Sequence, residues 1–317
     1  PDPRIKKLAE LVNPARLVPA AVEFVDIAGL VKGASLGEGL GNKFLSHIRE
    51  CHAIAQVLRF FEDADIMHVH GGVNPKIDMD VVHLELMLAD LETIKKRLSD
   101  TEKKAKSGDK EFIWQAQVLA KVRSALESET LIIRMPLTDG EKAFLKTLQL
   151  LTAKPMLYIA NLKENELAGF DVAAAHAKLG LAENEAILPI SAKVEEDLAD
   201  FTPEEAEAYL LELGLKESGL NAVIHAAYRL LGLQTYFTAG PTEVRAWTIR
   251  IGAKGPEAAG VIHTDFERGF IKAETIAYDD YIACGGEVVA REKGKLRQEG
   301  REYVVRDGDV MHFKFNV

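Results

Sequence analysis

The sequence is poor in cysteine, in positive charge and in long apolar runs. Its 317 residues contain two cysteines, Cys51 and Cys284, which are too few and too far apart to suggest a disulfide framework. Lys and Arg (39) are outnumbered by Asp and Glu (49), and the net charge of −10 argues against coating nucleic acid by bulk electrostatics. No apolar run approaches the roughly 18 residues of a membrane span, and no stretch predicts a signal peptide. These absences predict a cytoplasmic, multi-domain protein without a membrane segment.

A phosphate-binding motif is also lacking. No stretch matches G-x-x-x-x-G-K-[ST], the loop whose backbone amides and lysine hold nucleotide phosphates, although 37–43 contains glycines and a lysine. The chain opens on Pro1-Asp2-Pro3, which is typical of a loop entered from upstream. We therefore expect that further sequence precedes residue 1 and that the chain as given binds nucleotide poorly.

The residues that are present alternate between strand and helix patterns. A β-branched run at Val22–Ile27 predicts a buried strand, a glycine-rich stretch follows over 29–41, and 42–51 predicts a helix. The apolar run 53–61 predicts the next strand. Strand, loop, helix and strand in this order indicate a βαβ unit and a partly parallel sheet.

Two amphipathic helices are predicted next, around the polar turn 107–109. Leucines at heptad-like spacing predict the packing seam of the first helix, and residues seven apart predict that of the second. The turn is basic, which indicates either a solvated tip or a contact with RNA or another acidic surface. The residues are Leu84, Leu88, Leu91 and Leu98, then Phe112, Leu119 and Leu126, and at the turn Lys103, Lys104, Lys106 and Lys110.

The alternation then resumes and gives way to a β-rich C-terminal region. Strands are predicted at 154–160 and 186–190, and helices at 141–151, 171–179, 203–213 and 220–231. Further strands are predicted at 243–251, 266–277, 302–305 and 310–317. The helical hairpin is therefore predicted to be inserted into one α/β domain, followed by a small mixed-β domain.

Three motifs follow predicted strands, where α/β sheets bind ligands. Asp26 and Gly29 form D-x-x-G, in which the Asp would hold Mg²⁺ and the Gly amide would meet the terminal phosphate of a nucleotide. The glycines after it suit a switch loop. Ser191 and Ala192 begin a turn that can offer a backbone amide to a purine edge. Each motif is weak alone, and their order and shared location give them weight.

The third motif is Asn161-Leu162-Lys163-Glu164, where GTPases usually carry Asn-Lys-x-Asp. In those proteins the Asp accepts hydrogen bonds from guanine N1 and N2, which adenine cannot donate. Here Glu164 is one methylene longer, and Leu162 replaces the lysine that flanks the base. Both changes weaken guanine recognition and favour a base held by apolar stacking.

Together the motifs resemble the YchF family of Obg-related P-loop ATPases over essentially the whole chain. The resemblance rests on the stretches 22–45, 158–164, 233–249 and 307–317. It implies an α/β P-loop NTPase fold with a mostly parallel sheet, an inserted helical hairpin and a C-terminal mixed-β TGS domain. The implied divisions are 1–80 and 141–233 for the nucleotide-binding domain, 81–140 for the hairpin and 234–317 for the TGS domain.

The resemblance also implies ATP, with GTP as the alternative, Mg²⁺, and association with the ribosome, through rRNA or ribosomal proteins at the hairpin tip and TGS domain. Leu30 stands where Ras-like enzymes carry the Gln that orients the attacking water. His68 is therefore the candidate catalytic residue, because an imidazole of near-neutral pKa can orient or deprotonate water. A packed or surface histidine is the alternative.

Three functions remain open from the sequence. The first is an ATP-hydrolysing switch on the ribosome, and the second is a GTP-specific enzyme of the same fold. The third is a scaffold that binds RNA or a ribosomal protein without using nucleotide.

Overall fold

Segments far apart in the sequence belong to the same structural unit. A computed structural model describes residues 2–26, 45, 47–63 and 72–316. Residues 25–227 group into one unit, here called the α/β unit, and residues 1–24 group with residues 228–317 into a second, here called the terminal unit.

The described residues form helices and strands along both units. The strands are β1 (Arg16–Val18), β2 (Ile54–Arg59), β3 (Met156–Asn161), β4 (Ala186–Ile190), β5 (Leu233–Ala239), β6 (Glu243–Arg250), β7 (Phe270–Ala277), β8 (Arg297–Glu299) and β9 (Asp309–Phe315). The helices are α1 (Pro3–Val12), α2 (Pro75–Ala105), α3 (Lys110–Glu127), α4 (Asp139–Lys146), α5 (Val172–Leu179), α6 (Ala192–Asp200), α7 (Pro203–Glu212), α8 (Gly219–Leu231), α9 (Gly255–Ile262), α10 (Thr264–Arg268), α11 (Tyr278–Cys284) and α12 (Glu287–Glu292). Short 3₁₀ turns occupy Ile132–Arg134 and Glu164–Glu166.

The α/β unit is built on a parallel sheet with the order β2-β3-β4 among the described residues. Ile54 pairs with Met156 and Arg59 with Asn161, while Asn161 also pairs with Ile190. Because parallel strands in this register end together, the residues that follow β3 and β4 lie at one edge of the sheet. The predicted parallel α/β architecture is confirmed.

Helices α2 and α3 form the predicted hairpin, and each begins at a polar cap. The Asn74 side chain accepts hydrogen bonds from the backbone amides of Lys76 and Ile77, and the Asp109 side chain accepts one from the amide of Glu111. These bonds satisfy amide groups that have no partner within the helix.

The seam predicted for the first hairpin helix is partly wrong. Leu84 and Leu88 are 41% and 37% exposed, whereas Met79, Leu86 and Ile94 on the same helix are buried. The buried stripe of α2 also contains the polar residues His83, Glu85 and Asp90. Because polar side chains interrupt the stripe, its apolar periodicity does not reveal the packed face. The seam of α3 is confirmed at its buried members, Leu119 and Leu126.

The terminal unit contains a mixed sheet with the order β1-β6-β5-β9-β7-β8 among the described residues. Strands β5 and β6 form an antiparallel pair, and β1 adds to β6 in parallel. Two apolar clusters pack on the sheet. The first contains Ile5, Leu8, Phe237, Val244, Ala246, Ile276, Tyr281, Ala290 and Val310. The second contains Tyr236, Ile249, Ala258, Ala259, Phe270, Ala273, Val305, Met311 and Phe313.

The segment before residue 25 belongs to this terminal unit, not to the α/β domain predicted over 1–80. Ile5 and Leu8 of α1 are buried in the terminal core, and Arg4 contacts both Asp2 and Asp307 at 2.7 Å. Strand β1 also pairs with β6. The β1–β6 pairing and the Arg4–Asp307 contact join residues 227 and 303 positions apart, which local sequence patterns cannot reveal.

Two predicted strands are not formed. Residues 22–26 of the predicted strand Val22–Ile27 have no regular structure, and Phe24 and Val25 are 48% and 51% exposed. In the predicted strand 302–305, Val304 forms an isolated bridge with Lys254. A β-branched run becomes a strand only where a neighbouring strand pairs with it over several residues. Among the described residues, 22–26 pair with no strand, and 302–305 form only the single bridge at Val304. The predicted helix 141–151 forms as α4, which ends at Lys146.

Candidate functional site

The ends of β3 and β4 bring two of the predicted motifs together. Asn161 is the last residue of β3, and its Oδ1 accepts the backbone amide of Ala192 at 3.1 Å. Ala192 is the first residue of α6, whose N-terminal amides have no partner within the helix. The Asn161 side chain therefore fixes the turn that carries Ser191 and Ala192, as the predicted shared edge requires.

Leu162 continues the parallel ladder beyond β3. Its amide donates to the Ile190 carbonyl at 2.8 Å, and the residue is only 5% exposed. Such burial leaves little of the side chain to stack on a base, the role that its replacement of a base-flanking lysine suggested. Its position favours a role in anchoring the loop against β4.

Glu164 begins a 3₁₀ turn and is exposed at the same edge. The loop that carries it is held by its neighbour Glu166, which accepts the Lys163 amide at 3.0 Å. Partial desolvation, followed by the negative charges of Glu164 and Asp197, raises the pKa of the Tyr209 hydroxyl. The Glu164 carboxylate therefore lies near α7 and remains open to solvent.

Ser191 lies at the N-terminal end of α6 and is 2% exposed. Its Oγ is buried and makes no hydrogen bond, although a serine at this position usually caps the helix. Ser191 lines a cavity of about 170 Å³ whose other walls include Leu188, Ile190 and Leu215. The lining also includes Glu195, Lys216 and Glu217, so the cavity offers polar groups besides the Ser191 hydroxyl and can hold a water or a small ligand group.

The carboxylate of Glu195 fixes the position of Gly219, another residue that lines this cavity. Glu195 of α6 accepts the amides of Gly219 and Leu220 at 2.7 and 3.1 Å, and so stabilises the N-terminus of α8. Gly219 permits this close approach, since a Cβ there would lie 2.9 Å from the Ile190 side chain. Lys193, by contrast, faces acidic neighbours, and its pKa is raised by hydrogen bonds to Asp197 and Glu196.

Not all the predicted site residues can be placed. Asp26 is exposed and lies in a segment without regular structure. Gly29, the glycine-rich stretch after it and His68 lie outside the described residues. Of the predicted site residues, the structure thus brings together Asn161 and the Ser191-Ala192 turn.

No preformed metal site is present among the described residues. No group of three or more His, Cys, Asp and Glu side chains there could hold a metal ion. Mg²⁺ in nucleotide sites is usually held by one or two carboxylates together with phosphates and water. The single exposed carboxylate of Asp26 fits this kind of site and does not form a cage by itself.

A buried polar network, which the sequence did not predict, joins the hairpin to the strands that carry the motifs. His83 of α2 lies 3.1 Å from the hydroxyl of Tyr158, which is on β3 three residues before Asn161. Arg134 pairs with Glu185, just before β4, at 2.6 Å. Burial, and then the positive charge of Arg134, lowers the pKa of His83 to about 4. The imidazole is therefore neutral at physiological pH.

Comparison with known proteins identifies the family. The family description YchF-GTPase_C, a protein of unknown function (DUF933), matches residues 233–316. The "Ribosome-binding ATPase YchF" of Bacillus subtilis is 52% identical over 320 residues, covering 100% of this chain and 87% of that protein. The protein of the same name from Escherichia coli O157:H7 is 51% identical over 317 residues, with the same coverage.

A solved structure agrees. The Schizosaccharomyces pombe YchF GTPase superposes with a TM-score of 0.88 and 38% identity, covering 99% of this chain and 85% of that one. None of the described helices combines the length and the apolar composition that a membrane span requires. Because about half of its residues are identical to those of the two bacterial relatives over its full length, this chain belongs to the YchF family.

Proposed function

We propose that this is a ribosome-associated nucleotide-binding protein that hydrolyses ATP as a conformational switch in the cytoplasm. The observation that carries the proposal is the joining of Asn161 to the Ser191-Ala192 turn at one edge of a parallel sheet. That arrangement occurs in a chain whose bacterial relatives are named ribosome-binding ATPases.

In the proposed site, Asn161 orients the loop, and the Ser191-Ala192 turn faces the purine edge. Leu162 anchors the loop against β4, and Glu164 presents its carboxylate next to the base. Asp26 would bind Mg²⁺, which neutralises phosphate charge when nucleotide is bound. The Gly29 amide would then contact the terminal phosphate.

Phosphate binding needs more than these residues. The 317 residues contain no G-x-x-x-x-G-K-[ST] loop, so we expect them alone to bind and hydrolyse ATP weakly. Water activation is assigned to His68, and the test is ATP turnover by a His68→Ala variant of a protein that includes such a loop. Unchanged turnover would remove His68 from the mechanism.

The partner surfaces are assigned to the hairpin tip and the terminal unit. Lys103, Lys104, Lys106 and Lys110 are all exposed around the turn between α2 and α3. We propose that residues 234–317 form a TGS domain, to which residues 2–24 contribute one helix and one edge strand.

GTP hydrolysis is the second candidate, because the Schizosaccharomyces pombe relative is named a GTPase. Competition between ATP and GTP for the protein that includes a phosphate-binding loop separates the two. The decisive variant is Leu162→Lys with Glu164→Asp, which restores the residues usual in GTPases. We expect it to shift the affinity ratio towards GTP by about tenfold, the contribution of a hydrogen bond to a charged group.

Glu183→Asp is the matched control, because it shortens an exposed glutamate that lies before β4 and outside the Asn161–Glu164 loop. It should leave the ratio unchanged. A wild-type protein that prefers GTP would reject the assignment to ATP. Wild-type protein that sediments with ribosomes and shows no nucleotide turnover would favour the scaffold.

A further inference from the structure

An arginine, a tryptophan and a tyrosine are stacked on one face of the terminal sheet. The guanidinium carbon of Arg245 lies 4.0 Å from the centre of the Trp247 ring. The Trp247 ring is nearly parallel to Tyr236, at 13° with the ring centres 6.4 Å apart. Tyr236 is fully buried and donates its hydroxyl to the Ala258 carbonyl. The stack therefore rests on a fixed aromatic base.

The indole at the centre of the stack is held in one orientation. Trp247 Nε1 donates to Thr238 Oγ1 on the neighbouring strand at 2.9 Å. The β5–β6 register places Trp247 opposite Tyr236 and Arg245 opposite Thr238. Paired residues share a face of the sheet, so the backbone pairing fixes the order of the stack.

The outer member of the stack remains accessible within its unit. Arg245 keeps 37% of its side chain exposed. Its acidic neighbour, Glu243, lies 3.9 Å from it and 3.8 Å from Arg16, which is 71% exposed. One carboxylate thus lies between two guanidinium groups, and this corner of the sheet carries a local excess of positive charge.

The two units also differ in net charge. Residues 25–227 contain 22 Lys and Arg against 33 Asp and Glu, whereas residues 1–24 and 228–317 contain 17 against 16. The acidity of the whole chain therefore resides in the α/β unit. The terminal unit as a whole can therefore be approached by an RNA phosphate backbone without net repulsion.

We propose that the Arg245–Trp247 stack is a docking platform for an unpaired nucleotide of ribosomal RNA. The inference rests on the proposed ribosome association and adds its chemistry. Unstacked RNA bases are recognised by stacking on aromatic rings and on guanidinium planes, without any need for a particular base. The edge of the same guanidinium donates to phosphate oxygens.

Arginine is required by this geometry, not merely a positive charge. A lysine ammonium is a point charge without a planar face, so it attracts phosphate but offers no surface for a base. Arg245→Lys therefore separates stacking from simple electrostatic attraction. Arg250→Ala is the matched control, because Arg250 ends the same strand and is also exposed.

The chain contains two tryptophans, so a Trp114→Phe background leaves Trp247 as the single tryptophan reporter. Titration of the full chain with single-stranded oligoadenylate of eight nucleotides should quench Trp247 fluorescence. Arg245→Ala and Arg245→Lys should both weaken this binding by about tenfold, the usual loss for one stacked base. Arg250→Ala should bind like the unsubstituted chain.

Sedimentation with ribosomes is the second measurement, and Arg245→Lys should lower the bound fraction while Arg250→Ala does not. Binding of Arg245→Lys equal to wild type, to the oligonucleotide or to ribosomes, would overturn the proposal. An effect on ribosomes without any on oligoadenylate would also overturn it, in favour of a ribosomal protein as the contact. ATP turnover without ribosomes should be unaffected by Arg245→Lys, so failure of the switch itself would be recognised separately.

Discussion

The α/β unit buries polar and charged side chains, whereas the interior of the terminal unit is mainly aromatic and aliphatic. His83, Asp90 and Glu185 are each at least 91% buried in the α/β unit. The terminal core is built around Tyr236 and Phe237, both fully buried. The buried polar groups of the α/β unit connect elements distant in sequence, which directional hydrogen bonds can specify and apolar contact cannot. The terminal unit relies mainly on close packing, and its buried charged side chain, Asp309, accepts hydrogen bonds from the Tyr303 hydroxyl and the Arg306 amide.

The largest effect should come from the glycine of the terminal unit that has the least space for a Cβ. A Cβ at Gly269 would lie 2.1 Å from the backbone oxygen of Asn316, which a rotamer change cannot relieve. Gly269→Ala should therefore lower the free energy of unfolding by about 4 kcal/mol. Urea unfolding followed by Trp247 fluorescence measures it. Gly300→Ala, where no atom lies within 4 Å, is the control, and equal stability of the two variants would contradict the packing argument.

The next effect tests a buried polar anchor in the α/β unit. Asp90 accepts hydrogen bonds from the Leu151 amide, the Thr152 amide and the Thr152 hydroxyl at 2.7–2.9 Å. Burial nevertheless raises the pKa of its carboxyl above the usual value. Asp90→Ala would leave these donors unpaired and should cost about 3 kcal/mol. The loss should appear in urea unfolding followed by Trp114, and Asp100→Ala on the exposed side of α2 should change little.

The pH dependence of stability should distinguish the two units. His83 has its pKa lowered to about 4 in the folded state, so the unfolded chain binds a proton first as the pH falls. The contribution of neutral His83 to the stability of the folded state is fully present above the unfolded pKa of about 6.5, and it is lost as the pH falls towards 4. Between pH 7 and pH 5 the α/β unit should lose about 2 kcal/mol from this group.

His83→Gln should reduce that slope, because glutamine can keep a hydrogen bond to Tyr158 without titrating. The measurement is urea unfolding of Trp114 at several pH values. His312→Gln, an exposed histidine of the terminal unit, is the control. An unchanged slope in His83→Gln would show that His83 titrates normally.

The smallest effect should come from Gly219, where the neighbours of a new Cβ are side chains. Ile190 and the Glu195 carboxylate can move by a few tenths of an ångström, so Gly219→Ala should cost about 1 kcal/mol. Thermal unfolding measures this cost against Gly169→Ala, which has open space around it. A loss as large as that of Gly269→Ala would remove the distinction between backbone and side-chain neighbours.

Sequence patterns predicted the parts of the fold that depend on local periodicity and parallel pairing. The meeting of Asn161 with Ser191-Ala192 followed from two apolar runs that end in polar residues, since parallel strands share an edge. The pairing of His83 with Tyr158 could not be predicted, because nothing in an isolated histidine indicates its partner 75 residues away. The grouping of residues 2–24 with the terminal unit escaped prediction for the same reason.

Because the N-terminal segment belongs to the terminal unit, the polypeptide crosses between the two units twice. The chain passes between the units at residues 24–25 and again at residues 227–228, and the first crossing lies in the exposed stretch around Phe24 and Val25. A protease that cut there would release no fragment at once. Residues 2–24 would lose their covalent link to the α/β unit and stay on the terminal unit through β1, α1 and the ion pair of Arg4 with Asp307, much as a split protein retains its complementing piece.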